Sequence, residues 1–442
     1  MLRFRQKAIW IRAIPCALAF GLLVQVHTAQ AADLKDVYAL ASQYDADIAA
    51  ANADHQAAIQ RLPIAKSAFK PQLSAAFNSS VNDVNSDLDE SYEDNRFTLS
   101  LTQSLFNRPN KAILNQARAG VSQADALLAA EKQSLILRAT GSYFDVLRAQ
   151  VELRFSLSEL RAIARTREQA ERRFEVGLVP VTDVREAQAQ YDLAFAQKIA
   201  AENNLASAHE ALFLITGDAD IKLNTLAADL PLNAPDPIEI EDWVKLALEN
   251  NPDLMVARMA SKTAKFGVDA ERGARYPTLD LVGLASRSDT HQQGRRDLNT
   301  GEVRLEFRMP VYTGGRVKAL INQATAESSS AATGLIAEER RAAQRTRDAY
   351  RGVVTSMSRV KALRQALSST RKAAQATDAG FRAGTRTSVE VLRSLRDTFR
   401  AQSDYSGARY DYIINALNLR AAAGTLTEAD LEPINNFLVE AK

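Results

Sequence analysis

The sequence predicts an internally duplicated α+β membrane protein with two β-hairpins and two very long helices. Three observations carry this prediction. After its first residues, the chain aligns with itself at a shift of 206 residues, which becomes 207 after the second strand of the repeat. Short segments alternate apolar and polar residues, which is typical of strands with two different faces. Stretches such as residues 108–176 contain almost no helix breakers.

Composition places the chain among folded proteins, since 46% of its 442 residues are hydrophobic and 24% are charged. The 55 Lys and Arg residues nearly balance the 53 Asp and Glu residues. The chain therefore lacks the excess of basic residues that would indicate a nucleic-acid partner.

The first 31 residues have the pattern of a signal peptide. They combine a basic start, an apolar stretch over residues 14–26 and the small residues Ala29 and Ala31 before the expected cleavage site. A membrane anchor is the alternative, but the apolar stretch is shorter than the ~20 residues that span a bilayer. The only cysteine, Cys16, lies in this leader. The mature chain is therefore expected to lack disulfides and thiolate metal sites, which suits an oxidising periplasm.

The duplication divides the mature chain into two structural repeats, residues 32–239 and 240–442. A unit of this length is too long for a solenoid, so each copy is predicted to be a half-molecule with its own series of elements. The first repeat is predicted to contain a helix over 34–69, a hairpin over 73–106, a long helix over 108–176, a helix over 181–216 and a linker. The second is predicted to contain a helix, a hairpin over 278–312, a long helix over 313–380, a helix over 387–423 and a C-terminal tail.

The predicted strands have one apolar face, as in Val303–Val311, where apolar residues take every odd position. A soluble β-sandwich has the same pattern, but about ten residues tilted near 45° also cross an outer membrane. The polar segments 81–96 and 286–302 are predicted to be long extracellular loops. Because four strands cannot close a barrel, strands in a membrane require oligomerisation, either to eight strands from two copies or to twelve from three.

The helices are predicted to be unusually long. At 1.5 Å per residue, a helix over residues 108–176 extends roughly 100 Å, and Leu153, Leu157 and Leu160 have the spacing of a coiled-coil seam. The flanking helices are each about half as long, so they match the long helix if they stack end to end. A periplasmic coiled-coil rod is the alternative, although it leaves the hairpins unexplained.

The sequence predicts no catalytic, cofactor or metal site. The three histidines after the leader, His55, His209 and His291, lie far apart on different predicted elements. Motifs of P-loop, dinucleotide-binding, zinc-protease and serine-hydrolase sites are absent from the sequence. The carboxylates are dispersed beside Lys and Arg, as on a solvated surface. We therefore do not expect an enzyme.

Two corresponding helix-to-helix turns, within residues 173–184 and 380–392, carry the remaining information. Gly177 and Gly384 fit turns that need a positive φ, and the hydroxyl and acidic residues that follow can cap the next helices. Capping alone does not account for Arg386. Exposed small and apolar residues at such tips can accept a helical hairpin of a partner. The predicted docking residues are Val176, Gly177, Leu178, Ala383, Gly384 and Thr385.

On these residues the chain resembles outer-membrane channels of the TolC-type efflux family, over essentially all of the mature sequence. The resemblance rests on the duplication and on several motifs together. These are R-F-x-V-G-L-V-x-x-T-D-V at residues 173–184, G-T-R-T-x-V-x-V-L at 384–392, P-x-Y-x-G-G at 310–315, A-L-x-x-N-P-D-L at 247–254, and the tail at 424–431. Residues 44–47 lack the Asn-Pro that stands at 251–252, which weakens one copy of that motif.

The resemblance implies a homotrimer in which each chain gives four strands to a twelve-stranded outer-membrane β-barrel, continued by an α-helical barrel across the periplasm. It implies a passive exit duct for drugs or secreted polypeptides in a tripartite efflux or type I secretion system. The implied partners are outer-membrane lipid, a periplasmic adaptor of the membrane-fusion class and an inner-membrane pump. A periplasmic coiled-coil structural or adaptor protein without a pore is the alternative.

The resemblance also implies a gate at the periplasmic helix tips, closed by bonds between the two helical hairpins. The matching positions are Thr182, Asp183, Phe381, Arg386, Glu390 and Arg393. A tyrosine is usual at position 381, so Phe381 cannot make its hydroxyl bond and Arg386 is expected to contribute more. Glu390 matches one acidic ring of the family, whereas Arg393 stands where a second acidic residue is usual. These two charges face the same way on a helix and can pair.

Overall fold

The computed structural model describes residues 31–84, 90–290 and 298–440. The predicted signal peptide lies outside the described residues, except for Ala31. The helices are α1 (Leu34–Tyr44), α2 (Ala46–Ser67), α3 (Arg108–Glu175), α4 (Val181–Thr216), α5 (Ile240–Asn250), α6 (Pro252–Gly273), α7 (Arg316–Arg382), α8 (Ser388–Ala422) and α9 (Glu432–Asn435). The strands are β1 (Gln72–Val84), β2 (Glu90–Phe106), β3 (Thr225–Leu226), β4 (Thr278–Thr290), β5 (Leu298–Arg308) and β6 (Leu438–Val439). Within these ranges, no helix has the apolar length that a membrane-spanning helix needs.

Four strands form one antiparallel sheet in the order β1, β2, β4, β5. Strand β2 pairs with β4 and so joins the hairpin of the first repeat to that of the second. Side chains alternate between the two faces, so that Leu73 and Leu101 oppose each other on an apolar face. On the polar face, the hydroxyl oxygens of Ser74 and Ser100 are 2.6 Å apart. Within the described chain, β1 and β5 each keep one unpaired edge.

The strands extend further than the sequence predicts. β1 and β2 pair as far as Val84 and Glu90, and β4 and β5 pair as far as Ser288 and Leu298. Segments predicted as loops are therefore largely strand, because polar residues make the same backbone ladder as apolar ones. Residues 85–89 and 291–297, which the predicted loops also contain, lie outside the described residues.

The second hairpin ends at Arg308 rather than at residue 312, and α7 begins at Arg316 rather than at residue 313. Pro310 has no N–H to donate to the ladder. Gly314 and Gly315 then adopt φ values of 62° and 83° and turn the chain into the helix.

The long helix α3 packs against α2 and α4 of its own repeat and against α6 and α8 of the other. Helix α7 packs against α5, α6 and α8. From one side of the chain to the other, the helices therefore follow a lateral order of four places. Helices α2 and α4 share the first place, α3 takes the second, α6 and α8 share the third, and α7 takes the fourth. Helix α1 also contacts α3 and α4 of its own repeat.

The helix predicted over residues 34–69 is broken into α1 and α2 at Asp45. This residue has φ −60° and ψ 124°, and its carboxylate accepts the N–H of Ile48 at 2.9 Å, which caps α2. Asn251 has nearly the same backbone angles and caps α6 through the N–H of Leu254 at 3.1 Å. Each repeat thus contains a helix joint where its second short helix begins.

The main hydrophobic core lies around the middle of α3, where Tyr143 and Phe144 are fully buried against α1, α8 and the linker. The linker is more regular than the sequence predicts, because its strand β3 pairs with β6 of the tail. The hydroxyl of Tyr143 donates to the carbonyl of Asn224 in the linker at 2.7 Å. Ala32, near the other end of the described chain, forms a β-bridge with Leu223, so both ends of the described chain are fixed to the linker.

Candidate functional site

The turns that end α3 and α7 have the same backbone geometry. Gly177 has φ 74°, and its N–H donates to the carbonyl of Phe174 at 2.9 Å. Gly384 has φ 80° and donates to the carbonyl of Phe381 at 3.0 Å. In both turns the next residue donates back to the last helical turn, which completes a Schellman motif. The positive φ explains why glycine is present at both positions.

The predicted docking residues are exposed on these turns. Val176 and Leu178 keep 67% and 73% of their surface accessible, although both are apolar. Gly177, Ala383, Gly384 and Thr385 are also exposed. In a single copy of the chain, the two turns thus expose small and apolar groups to the solvent.

The gate position Arg386 lies just before α8 and is engaged by the first turn of that helix. Its Nη1 donates to Oε1 of Glu390 at 2.7 Å. The other carboxylate oxygen of Glu390 accepts the N–H of Thr387 at 2.8 Å, and the Thr387 hydroxyl accepts the N–H of Glu390 at 3.3 Å. This capping box starts α8. The bond from the Thr387 backbone, followed by that from Arg386, lowers the pKa of Glu390 to about 2.

Glu390 therefore bonds to Arg386 and not to Arg393, contrary to the pairing that helix spacing allowed. Arg393 is exposed, and among the described residues it has no ion pair. An ideal Cβ at Gly380 would lie 2.8 Å from Cγ of Arg386. The side chain of Arg386 thus lies across the end of α7, over a residue without a side chain.

The first turn supplies Thr182 and Asp183 at the start of α4. The hydroxyl of Thr182 is 3.5 Å from Oδ1 of Asp183. Neither residue caps the helix, because the N-cap is Pro180 and makes no side-chain cap bond. Within the described chain, neither forms a hydrogen bond or ion pair with Arg386. The closing bond between the hairpins remains a prediction, and it requires a different arrangement of Arg386 or a neighbouring chain.

The structure brings Phe381 together with a residue that the sequence reasoning missed. The guanidinium carbon of Arg173 lies 5.0 Å from the centroid of the Phe381 ring. Arg173 opens the motif at residues 173–184, but its partner could not be seen because the two residues are more than two hundred positions apart. Phe381 therefore has an aromatic rather than a polar contact across the two turns.

One group of carboxylates has the spacing of a metal site among the described residues, namely Asp45, Asp47 and Glu131. Arg138 lies among them. Its guanidinium is 2.9 Å from Asp45, 3.8 Å from Asp47 and 2.7 Å from Glu131. One cation of the chain thus already lies among the three carboxylates and offsets part of their charge, and the group serves the first helix joint.

Comparisons with known proteins agree with this architecture. The family described as "Outer membrane efflux protein" matches residues 37–218 and 243–425, one match in each repeat. Outer membrane protein TolC of Vibrio cholerae is 34% identical, over 93% of the chain and 95% of that protein. Alkaline protease secretion protein AprF of Pseudomonas aeruginosa is 29% identical, over 94% and 89%. The solved structure of outer membrane protein VceC from Vibrio cholerae has a TM-score of 0.76 at 18% identity, over 88% and 96%, and shows the same fold.

Proteins of this kind are efflux or secretion channels of the outer membrane that extend into the periplasm, and they are not enzymes. They work within tripartite systems. Since the family matches both repeats and the relatives match nearly the whole chain, the protein belongs to the outer membrane efflux protein family, among its TolC-type channels.

Proposed function

We propose that three copies of this chain form a passive exit duct, in which a twelve-stranded barrel crosses the outer membrane and a helical barrel crosses the periplasm. The duct carries drugs or secreted polypeptides that an inner-membrane pump and a periplasmic adaptor deliver to it. AprF, a relative over most of the chain, is named for protease secretion, which supports polypeptide cargo as one of the two classes.

The observation that carries this proposal is the four-stranded sheet with two unpaired edges. An unpaired edge in lipid leaves backbone N–H and C=O groups without partners, at a cost of several kcal/mol each. The edge of β5 on one copy can pair with the edge of β1 on the next, which closes the sheet without leaving a free edge. Three copies, the number that the family resemblance favours, then give twelve strands, an allowed even number.

The exposed apolar face of the sheet supports a position in lipid. Phe77 on β1 and Val303 on β5 keep 67% and 79% of their surface accessible. In a water-soluble sheet, such a face would be covered by a second layer of structure. The opposite face carries Glu302 and Arg304, whose side chains are 3.2 Å apart, and it suits a water-filled lumen.

The helices repeat the edge arrangement of the sheet. Helices α2 and α4 lie at one end of the lateral order, and α2 leads into β1. Helix α7 lies at the other end and follows β5. Pairing of β5 with β1 of the next copy, which closes the barrel, therefore also places α7 of one copy beside α2 and α4 of the next. The same rotation extends the barrel into a helical tube.

We place the gate at the turns that end α3 and α7 and the adaptor on their exposed tips. Bonds from Arg386 to Thr182 and Asp183 are proposed to hold the tips closed. Arg386 then exchanges Glu390 for an acceptor on the other hairpin. The adaptor contacts the apolar Val176 and Leu178, which a helical hairpin of a partner can cover.

The test is single-channel conductance of the purified mature protein in planar bilayers, before and after Arg386→Ser. We expect a small conductance that increases in the variant. Breaking a charged hydrogen bond costs about 1–3 kcal/mol, and three chains together approach the roughly 5.5 kcal/mol that moves a gate from mostly closed to mostly open. A folded wild-type protein that never conducts would contradict the duct, whereas equal conductance in both proteins would remove only Arg386 from the gate.

A further inference from the structure

We propose that Arg173 and Phe381 form the contact that holds the two helical turns of each chain together in the closed duct. The inference rests on the proposed function, because it gives these residues a task only if the tips form a gate. It assigns Arg173 as a positioning residue: its cation fixes where the end of α7 lies relative to the end of α3.

The geometry is that of a cation–π contact. The guanidinium carbon of Arg173 lies 5.0 Å from the ring centroid of Phe381, within the ~6 Å over which the ring quadrupole attracts a cation. Both side chains are half-buried, whereas Val176 and Leu178 on the same tips are exposed. The contact joins the last turn of α3 to the last turn of α7, so that it bridges the two hairpins directly.

The neighbouring arginines form ion pairs with carboxylates, whereas Arg173 forms none among the described residues. Arg172 pairs with Glu168 and Arg382 pairs with Asp378, each within one turn of its own helix. Among the described residues, the guanidinium of Arg173 has no carboxylate partner. Its charge is therefore available to the ring, with no competing ion pair to weaken the contact.

The two repeats differ at the positions that matter. In the internal alignment, Phe381 corresponds to Phe174 and Arg173 corresponds to Gly380. Phe174 is 44% exposed, and among the described residues no cation lies over its ring. One turn thus supplies the cation and the other supplies the ring. Gly380 leaves the corresponding space to Arg386.

The contact between Arg173 and Phe381 joins different parts of the chain from those joined by the pair of Arg386 and Glu390. In the described chain, Arg386 bonds to Glu390 in the first turn of the helix that follows it, on the same hairpin. The contact between Arg173 and Phe381 instead connects the two turns of one chain without any second copy. A closed tip then depends on both connections, and removing either one favours opening.

The experiment compares single-channel recordings of Arg173→Gln, Phe381→Leu and the double variant in planar bilayers. We expect each single variant to shift the closed-to-open ratio toward open by at least about tenfold, because each of three chains loses one contact. The double variant should shift it no further than the larger single effect. Phe381→Tyr keeps the ring and should remain closed.

Matched controls separate this contact from a general disturbance of the tips. Phe174→Leu makes the same substitution at the corresponding position of the other repeat, and Arg172→Gln removes the adjacent charge. Both should leave the closed-to-open ratio unchanged. A wild-type ratio in Arg173→Gln, or fully additive effects in the double variant, would overturn the proposal.

A second measurement decides the matter if no variant conducts, which would contradict the duct itself. The chain after the leader contains no cysteine, so spin labels can be attached at Glu175→Cys and Arg382→Cys alone. Labelled chains diluted with unlabelled ones report the distance between the turns of one chain. We expect Phe381→Leu to widen this distance and Phe174→Leu to leave it unchanged. No widening with Phe381→Leu would refute the contact independently of conductance.

Discussion

Arg386 can lie across the end of α7 because Gly380 has no side chain. An added Cβ would come within 2.8 Å of Cγ of Arg386, so one of the two must move. Gly380 is helical, and alanine suits a helix better than glycine by about 1 kcal/mol, so the backbone itself gains from the change. The effect of the substitution on the gate is therefore separable from its effect on folding.

We predict that Gly380→Ala lowers the open fraction of the channel, opposite to Arg386→Ser, because it displaces the arginine from the position in which it bonds to Glu390 and so favours the acceptors on the other hairpin. Gly334→Ala is the control, since it lies in the same helix and an added Cβ there has no atom within 4 Å. Single-channel recording of both variants checks this. Equal open fractions in the two variants would mean that the position of Arg386 does not matter.

The low pKa of Glu390 makes a prediction about acid. A carboxyl whose pKa is lowered in the folded state stabilises it at every pH above the unfolded value, near 4.3, and loses that contribution as pH falls through about 2. We therefore expect the first turn of α8 to exchange its amide hydrogens more slowly than in Glu390→Gln, by the same factor at pH 7 and at pH 6 and by a clearly smaller factor at pH 3. Hydrogen exchange of residues 387–392 measures this. A factor that stayed unchanged from pH 7 to pH 3 would show that the pKa of the Glu390 carboxyl is not lowered in the folded state.

At the scale of elements, the two helix joints have the same design but different strength. Arg138 and Arg345 are corresponding residues of the repeats, and each binds carboxylates near the joint of its own repeat. Arg138 is 29% exposed and reaches the buried carboxylate of Asp45, whereas Arg345 is 50% exposed and reaches the exposed carboxylate of Asp253. The second joint instead uses a neutral amide, since Nδ2 of Asn251 donates to the carbonyl of Ala422 at 2.9 Å.

We predict that Arg138→Leu destabilises the protein by about 3 kcal/mol, because it leaves the buried Asp45 without a cation. Arg345→Leu should cost less than about 1 kcal/mol, as is usual for exposed pairs. Thermal unfolding of the purified protein, followed by circular dichroism, should thus give a clearly lower Tm for the first variant. A larger loss for Arg345→Leu would show that the second joint is the stronger one.

The joints also show where sequence reasoning succeeds and where it fails. The Asn-Pro at residues 251–252 is a recognisable helix start, because proline suits the first turn and asparagine caps it. Asp45 has only an alanine after it, so the break in the first repeat looked like continuous helix. The ends of the strands were missed for a related reason. Their residues are polar on both faces, so hydrophobicity does not alternate along them, although their backbones still pair. Arg173 and Phe381 were not connected because sequence spacing does not reveal contacts between distant turns.

At the scale of the whole molecule, the internal repeat did not predict the lateral order of the strands and helices. The duplication and the alternating strands indicated four strands, and they left eight or twelve strands open. The structure adds the order β1, β2, β4, β5 and the matching helix order. Both orders place the first repeat at one side of the chain and the second repeat at the other.

This order predicts which chemical cross-links form between copies. A cysteine on β1 combined with one on β5 should give covalent trimers when a bifunctional thiol reagent is added to the purified protein in detergent. The control is Thr98→Cys with Ser286→Cys, which are register partners on β2 and β4 and should link within one chain. Gel electrophoresis in denaturant distinguishes the products. Linked dimers as the largest product of the edge pair would indicate eight strands.

The joint at Asn251 also makes α8 a lever arm. The helix runs 35 residues from the joint to the turn at Gly384, which is about 50 Å at 1.5 Å per residue. A rotation of only 5° at the joint then moves the distal end by roughly 4 Å, close to the diameter of a carbon chain. Small angular changes at this joint, where the Ala422 carbonyl accepts hydrogen bonds from Asn251 and Thr346, thus become displacements of several ångströms at the distant turn.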